Sequence, residues 1–409
     1  MGDPRALLDQ ANQLRQRGDA GGAMALLSSG LAQYPRNAAG WNMLGILQME
    51  SGDPARAAAS IQRAIEIDAN PALMLNLARA HRASGDRERE LDTLNQALSL
   101  EPYFLPAILD KADALFALGK ASDALELYRL MFEGFDPNDQ LPPALAERLA
   151  AARQTLDRAG DQAMQGFSKT LDKVAAEHEG ADLHRVRAYA ENRAGKRKIY
   201  QQRPTGSHFP YLPAIEFFDR SLFPWFDELE QQTDAIREEM LSLWADDDDR
   251  FRPYVDYGAG IPLNQWAELN HSLRWSAWFF WENGVRDDDN CARCPRTAAA
   301  IEAAPTLDMP GKGPTAMFSI LKPHTRIPAH TGTSNTRVTV HLPLIVPPGC
   351  RFRVGSETRE WREGEAWAFD DTIEHEAWND SDQPRAILII DTWNPFLSEA
   401  EREVVRRIG

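Results

Sequence analysis

The sequence predicts an α + β multidomain protein, an N-terminal α-solenoid followed by a β-rich sandwich or jelly roll. Three observations predict it. Turn glycines recur at a fixed interval through the first third of the chain, the apolar period changes from helical to alternating after Trp275, and short alternating runs separated by turns fill the rest. With 409 residues, 43% hydrophobic and 26% charged, the chain has room for two or three domains, each with a buried core.

Gly18, Gly52, Gly85 and Gly119 stand 33 or 34 residues apart, three of them followed by Asp19, Asp53 and Asp86. Five residues past the glycines come Ala23, Ala57, Glu90 and Ala124, and four further on Leu27, Ile61, Leu94 and Tyr128. Trp41–Gly45 opens the second unit, and Pro35 and Pro102 close the first and third; Glu90 and Lys111 depart from the apolar pattern. The pattern resembles the tetratricopeptide repeat, a helix, a glycine turn and a second helix, with small residues where the two helices touch. Residues 1–135 are therefore expected to form a repeat domain whose groove holds a peptide or protein; dimerising or merely stiffening the molecule is the competing role. Residues 136–203 read as a helical extension and linker, with a capping helix at Leu145–Leu156 and linker at Ala194–Tyr200. Residues 204–409 form the second domain, which opens with Pro204–Pro213 and a helix at Ser221–Trp244.

Beyond Trp275 the pattern is that of strands. Arg337–Leu344 alternates, placing Arg337, Thr339 and His341 on one face. Cys350–Val354 and Arg359–Trp361 flank a turn at Gly355–Glu357, a hairpin signal, and Arg385–Asp391 is a last buried strand. Short strands with frequent turns predict a jelly roll of the cupin sort.

Composition excludes several classes. A net charge of −16 argues against nucleic acid and anionic membrane as partners. No apolar run approaches the ~20 residues of a membrane span, and the opening Met1–Arg5 is not a secretory segment, so a cytoplasmic location is expected. Three cysteines are too few for a disulfide framework; Cys291 and Cys294 read as an oxidisable surface pair rather than half a zinc site. Asp246–Asp249 reads as a solvated helix end or loop, lacking the spaced ligands and turn glycine of a calcium loop.

Four residues carry the candidate chemistry. His330 lies in a loop at Pro328–Asn335, His375 lies 45 positions on in another at Phe369–Trp378, His341 is on the strand leaving the first loop, and Arg385 follows His375 by ten residues. On a jelly roll, two such loops converge at the barrel mouth. Imidazoles there suit a non-haem iron with open coordination sites, and a deep arginine suits a carboxylate because a guanidinium pairs it bidentately.

From Trp275 onward the chain resembles the catalytic domain of the aspartyl/asparaginyl β-hydroxylase family. The resemblance rests on Phe280–Gly284, Phe318–Ile320, Pro328–Gly332, Asn335–Arg337, His341–Leu344, Phe369–Asp371, His375–Glu376, Arg385 and Asp391–Pro395, in family order and spacing. It implies a double-stranded β-helix and an enzyme using Fe(II), 2-oxoglutarate and O2. The product would be Asp or Asn hydroxylated at the β-carbon in a protein or peptide, with succinate and CO2 released. By resemblance, His330 and His375 are the metal ligands, and both are catalytic together with Arg385. Ser319 and Arg385 hold the far carboxylate of 2-oxoglutarate, with His341 near its chelating end. Arg337 faces the substrate carboxylate or the co-substrate, and Trp275 walls the site. The family lacks a carboxylate ligand, and Gly332 stands where an H-x-D motif would supply one; neither Asp370 nor Asp371 is assigned as a ligand. Animal members carry the same repeats ahead of the catalytic domain. Two features depart: Thr339 replaces a second arginine of animal members, and no anchor or secretory context is visible.

Each assignment has a structural alternative. A lone loop histidine is ordinarily a polar surface or satisfied core residue; the matched pair with Arg385 favours iron. His324 and His271 are structural, His341 serves equally as a buried strand residue, and Arg337 alternatively pairs with Asp370 or Asp371. Trp275, Trp278, Phe279, Phe280 and Trp281 are core as readily as site, and Asp391 and Trp393 close the barrel. Two rival functions stand beside protein hydroxylation. One is the same chemistry on a small molecule or lipid, since related bacterial domains act on a lipid; the other is a non-catalytic repeat scaffold.

Overall fold

The computed structural model describes residues 4–134, 141–178, 180–245 and 250–408; Asp246–Asp249 lie outside them. The chain divides into two compact units, Met1–Lys196 and Arg197–Gly409.

The first unit is built of helix pairs: α1 (Pro4–Gln16) with α2 (Ala20–Gln33), α3 (Ala38–Glu50) with α4 (Pro54–Ile67), α5 (Pro71–Ala83) with α6 (Arg87–Leu100), and α7 (Leu105–Ala117) with α8 (Ala121–Gly134). Each pair turns on one of the recurrent glycines, at φ between 74° and 83°, a left-handed conformation that penalises a side chain. Asp19, Asp53 and Asp86 then cap the second helices by accepting from backbone amides three residues on. Ala23, Ala57 and Ala124 are fully buried where paired helices meet. Glu90, the exception, is also fully buried, held by Arg82 and Arg87 (2.6 and 2.7 Å). The capping helix is longer than its apolar stretch suggests: α9 runs Pro143–Glu177, followed by α10 (His184–Arg193).

In the second unit the expected helix at Ser221–Trp244 is two, α11 (Phe226–Gln231) and α12 (Thr233–Ala245), because Pro224 cannot sit within a helix and Thr233 starts a fresh turn. Then follow β1 (Arg252–Pro253), β2 (Trp275–Glu282), β3 (Val285–Arg286), α13 (Asp288–Arg293), α14 (Pro295–Ala303), β4 (Ala316–Leu321), β5 (Thr325–His330), β6 (Arg337–Ile345), β7 (Cys350–Val354), β8 (Glu357–Glu360), β9 (Trp367–Phe369), β10 (His375–Asn379), β11 (Arg385–Trp393) and α15 (Glu399–Ile408). These strands make two antiparallel sheets, a large one ordered β1-β2-β4-β11-β6-β9, with β3 paired to β2, and a small one ordered β5-β10-β7-β8.

The large sheet is buried on both faces, and its alternation sorts the side chains. Even-numbered residues such as Trp278, Phe318, Val340 and Leu388 pack under α11 to α14. Odd-numbered Trp275, Leu321, Phe369 and Ile387 pack against Ile327, Phe352, Val354 and Ala377 of the small sheet. Cys291 and Cys294 belong to the helical layer and are buried, not a surface pair. Desolvation pushes their thiols up to about 11 and about 12, which makes them packing residues rather than reactive ones.

Candidate active site

The odd-numbered face of the large sheet continues beyond its apolar half into a cavity of about 1440 Å³. Met317 and Ser319 of β4, Arg337, Thr339 and His341 of β6, and Arg385, Ile387, Ile389 and Asp391 of β11 line it from one side; His330, Ala377 and His375 line it from the other. Strand pairing alone brings these positions together: Ser319 faces Ile387, and His341 faces Ile389.

The two histidines are at strand ends rather than in loops. His330 ends β5, His375 begins β10, and they are direct cross-strand partners, which puts both imidazoles on one face with centroids 4.1 Å apart. Each ring is fixed from behind: Nδ1 of His330 lies 2.8 Å from the Pro328 carbonyl and Nδ1 of His375 lies 3.0 Å from the Ile373 carbonyl. A carbonyl only accepts, so Nδ1 carries the proton and Nε2 presents its lone pair. Burial, then for His330 the neighbouring ring of His375, pushes the imidazoles down to about 3 and about 4, so both are neutral at ordinary pH. Two neutral imidazoles with backbone-fixed tautomers are a pair that could hold a metal ion through their Nε2 atoms.

Arg385 lies at the cavity's buried end, 1% exposed, stacked over Trp361 at 4.9 Å. Among the described residues no carboxylate pairs with it, and its Nε is buried without a partner. Its hydrogen bond from Nη1 to the Ser319 carbonyl is long at 3.5 Å. Burial depresses it to about 10. Beside it the Ser319 hydroxyl accepts from Nε1 of Trp275 at 3.1 Å. His341 sits among Phe352, Trp361 and Phe369, its Nδ1 accepting from Nε1 of Trp361 at 3.4 Å. Burial, then the Arg385 charge, holds it well below its ordinary value.

Arg337 lines the cavity with carboxylates already beside it. It pairs with Asp391 and, at 3.0 Å, with Asp371, both of them buried. Asp370 instead bonds Gln202 and Thr372. The Asp371 carboxylate fills the space that a Cβ on Gly332 would enter, so an H-x-D arrangement has no room here. Trp275 walls the site with company: Tyr254 stacks on it at 4.0 Å, Trp266 lies 6.1 Å away, and Trp266 meets His330 edge-on at 4.9 Å. Trp278 and Phe280 are core, while His324 and His271 are exposed and pair with Asp382 and Asp256. Trp393 closes a small cluster under α15.

A sequence profile for Aspartyl/Asparaginyl beta-hydroxylase matches residues 230–395, the segment that holds both histidines and Arg385, and one for Tetratricopeptide repeat matches residues 14–73. The chain is 36% identical over 255 residues to Aspartate beta-hydroxylase domain-containing protein 1 of Mus musculus, a match covering 60% of this chain and 68% of that protein. The chain belongs to the aspartyl/asparaginyl β-hydroxylase family. It is also 25% identical over 423 residues to Aspartyl/asparaginyl beta-hydroxylase of Mus musculus, covering 97% of this chain and 56% of that protein. Against Ornithine lipid ester-linked acyl 2-hydroxylase of Rhizobium tropici it is 35% identical over 186 residues, covering 45% of this chain and 62% of the relative. The chain thus spans about half the length of the Mus musculus hydroxylase it matches. Among the described residues no helix is long and apolar enough to cross a membrane.

Within this β-hydroxylase-family site, the residues that sequence reasoning missed are Tyr254, Trp266 and the Asp391 side of the Asp371–Arg337–Asp391 bracket, pairing of Arg337 with Asp370 or Asp371 being the alternative reading of the sequence. The bracket had a signal, since all three lie in motif segments, but only the fold shows that 34 and 54 positions of separation close to contact. The aromatic wall had only the density of rings between Phe251 and Trp281 to announce it.

Proposed function

We propose that this chain is an Fe(II)- and 2-oxoglutarate-dependent dioxygenase that hydroxylates the β-carbon of Asp or Asn in a protein or peptide, releasing succinate and CO2. One observation carries the reading: two neutral imidazoles paired across β5 and β10 share a cavity with a buried, carboxylate-free arginine. We read the two facing sheets as a double-stranded β-helix on the same grounds.

The residues fit both groups. His330 and His375 would hold the metal through Nε2. Among the described residues no third His, Cys, Asp or Glu joins them, so solvent oxygen would take the place of a third protein ligand. Arg385 and the Ser319 hydroxyl would bind the far carboxylate of 2-oxoglutarate, which gives the orphaned guanidinium its missing counter-charge. When bound, ferrous iron with 2-oxoglutarate and O2 supplies the oxidation that inserts one oxygen into a C–H bond. The protein does the rest. Trp275 orients the Ser319 hydroxyl; His341, held neutral with Nδ1 accepting from Trp361, would offer its Nε2 proton to the co-substrate; the rings of Phe352, Trp361 and Phe369 would exclude water around the co-substrate end. Arg337 of β6 acts by bracing Asp391 of β11 and Asp371 of the turn between β9 and β10, and Thr339 leaves the wall beside it uncharged.

At about 1440 Å³ the cavity exceeds the roughly 300–1,000 Å³ common for small-ligand pockets. A polypeptide side chain with its flanking backbone suits that space, and the repeat groove would hold the substrate further along its chain. The Rhizobium tropici relative favours a second reading, the same chemistry on a lipid acyl chain. One experiment separates them. Proteins and lipids from a lysate are incubated with the chain, Fe(II) and 2-oxoglutarate, and mass spectrometry locates the added oxygen. Oxygen on Asp or Asn, matched by succinate, supports the proposal. Oxygen on acyl chains alone moves the substrate to lipid, and 2-oxoglutarate left unconsumed sets the enzyme reading aside.

A further inference from the structure

Near the start of the second unit a segment that the 230–395 profile match does not include, Gln202–Phe209, runs alongside the turns that follow His330 and precede His375. Backbone amides of Thr205, Gly206 and Ser207 donate to the Gly332 and Thr333 carbonyls (2.8, 3.0 and 3.0 Å), just past His330. The amide of Arg203 donates at 2.7 Å to the Thr372 carbonyl, just before His375. Ser207 and Ser334 form a parallel bridge. Fully buried Asn335 bonds Phe209 twice, accepting from its N–H at 2.7 Å and donating to its carbonyl at 2.9 Å.

Gln202 ties the two turns to each other. Its Oε1 accepts from Asn335 Nδ2 at 2.9 Å, on the His330 side, and its Nε2 donates to Asp370 Oδ2 at 2.5 Å, on the His375 side. A primary amide of this length offers an acceptor to one and a donor to the other. Gly206 permits the approach: a Cβ there would stand 2.8 Å from the Thr333 carbonyl oxygen, which is backbone and cannot swing away. On its opposite side the His330 turn is pressed against Asp371, whose carbonyl accepts from the Gly332 amide at 2.6 Å. The turn is therefore clamped from two directions.

We propose that Gln202–Phe209 is a positioning strap for the metal centre, with Gln202 the residue that ties together the turns flanking the two imidazoles. Cross-strand pairing of β5 with β10 fixes the backbones at His330 and His375. The strap fixes the turns that aim their rings, because both Nδ1 anchors, Pro328 and Ile373, lie within a few residues of its contacts. This rests on the two-histidine metal reading above. Partners that orient ligands in this way typically govern about 10–100-fold in metal affinity.

The test uses the full chain, metal-free, titrated with Co(II) and followed by its visible absorption, beside unfolding curves and amide hydrogen exchange. In Gln202→Leu, Co(II) affinity should fall roughly tenfold or more in a protein that still unfolds cooperatively, with a lower midpoint because Asn335 and Asp370 lose a partner, while exchange quickens together in residues 203–207 and 331–335. Gly206→Val should do the same more severely, and if it fails to fold, Gln202→Leu decides. Gln202→Leu binding Co(II) as tightly as the parent, while His330→Ala does not bind, overturns the strap and leaves the metal site standing. A parent that binds no Co(II) removes the metal site and the strap with it. Exchange at Thr205–Ser207 as fast in the folded parent as in an open loop also overturns the proposal.

Discussion

Replacing Arg385 with methionine should stabilise the metal-free protein while destroying its hold on 2-oxoglutarate. The two effects share one cause. Arg385 is 1% exposed, faces no carboxylate among the described residues, and is depressed by burial to about 10. At 1.36 kcal/mol per pKa unit the buried charge costs about 3 kcal/mol in the free protein, an upper figure because the cavity admits water. Methionine carries no charge, reaches about as far as the arginine Nε, and has a flexible thioether that packs towards the Trp361 ring the guanidinium now covers. A gain of about 1–3 kcal/mol is therefore expected by denaturant unfolding without ligand. Losing a desolvated carboxylate partner costs about 2–5 kcal/mol in binding, so the 2-oxoglutarate Kd, read by equilibrium dialysis with Fe(II) under nitrogen, should rise at least thirtyfold. An Arg385→Met protein that is several kcal/mol less stable and binds 2-oxoglutarate normally would refute the reasoning, since Arg385 would then be an ordinary structural cation.

Three other perturbations have outcomes set by the same geometry. Gly332→Ala should cost about 1–3 kcal/mol of stability, because the new methyl meets the Asp371 carboxylate; made in an Asp371→Gly background, which loses the Arg337 pair in both proteins compared, the same change should cost far less, both differences being read from unfolding midpoints. The metal-free second unit should lose stability as pH falls from about 6.5 towards about 4. His330 and His375 are neutral when folded, at about 3 and about 4, but protonate near their ordinary value once unfolded. The unfolded chain thus binds more protons in that window, each histidine giving a slope of at most about 1.4 kcal/mol per pH unit, and the His330→Gln/His375→Gln double variant should flatten the curve. In the first unit, Asp110→Ala should cost about 2–4 kcal/mol, because Arg79, Arg82 and Arg148 converge on this buried carboxylate. Co(II) binding should be unaffected, and calorimetry with metal titration checks both.

The parts of the molecule that announce themselves in sequence are those with a local physical cause. The repeat glycines are legible because every one occupies a left-handed turn, and their aspartates because a cap must follow. The cavity-lining alternation of Arg337, Thr339 and His341 is legible because a strand has a period of two. What depends on distant partners is not. Burial of Cys291 and Cys294 follows from α13 lying on the large sheet, which nothing in the C-x-x-C spacing implies. Arg337 reads as a substrate-facing cation or a partner of Asp370 or Asp371, and its bond to Asp391 appears only when β11 is laid beside β6. The strap at Gln202–Phe209 has no periodicity at all, because most of its bonds use backbone atoms. The histidine pair is found through motif spacing, yet its placement at opposed strand ends comes from the β5–β10 register alone.

The central claim is that His330 and His375 share one ferrous ion beside an Arg385 that anchors a dicarboxylate. Mixing the anaerobic protein with Fe(II) and 2-oxoglutarate tests it most directly. A weak visible charge-transfer band should appear only when both are present, vanish in His330→Ala, and need far more 2-oxoglutarate in Arg385→Met. No band in the parent, or a band that survives in His330→Ala, would contradict the account.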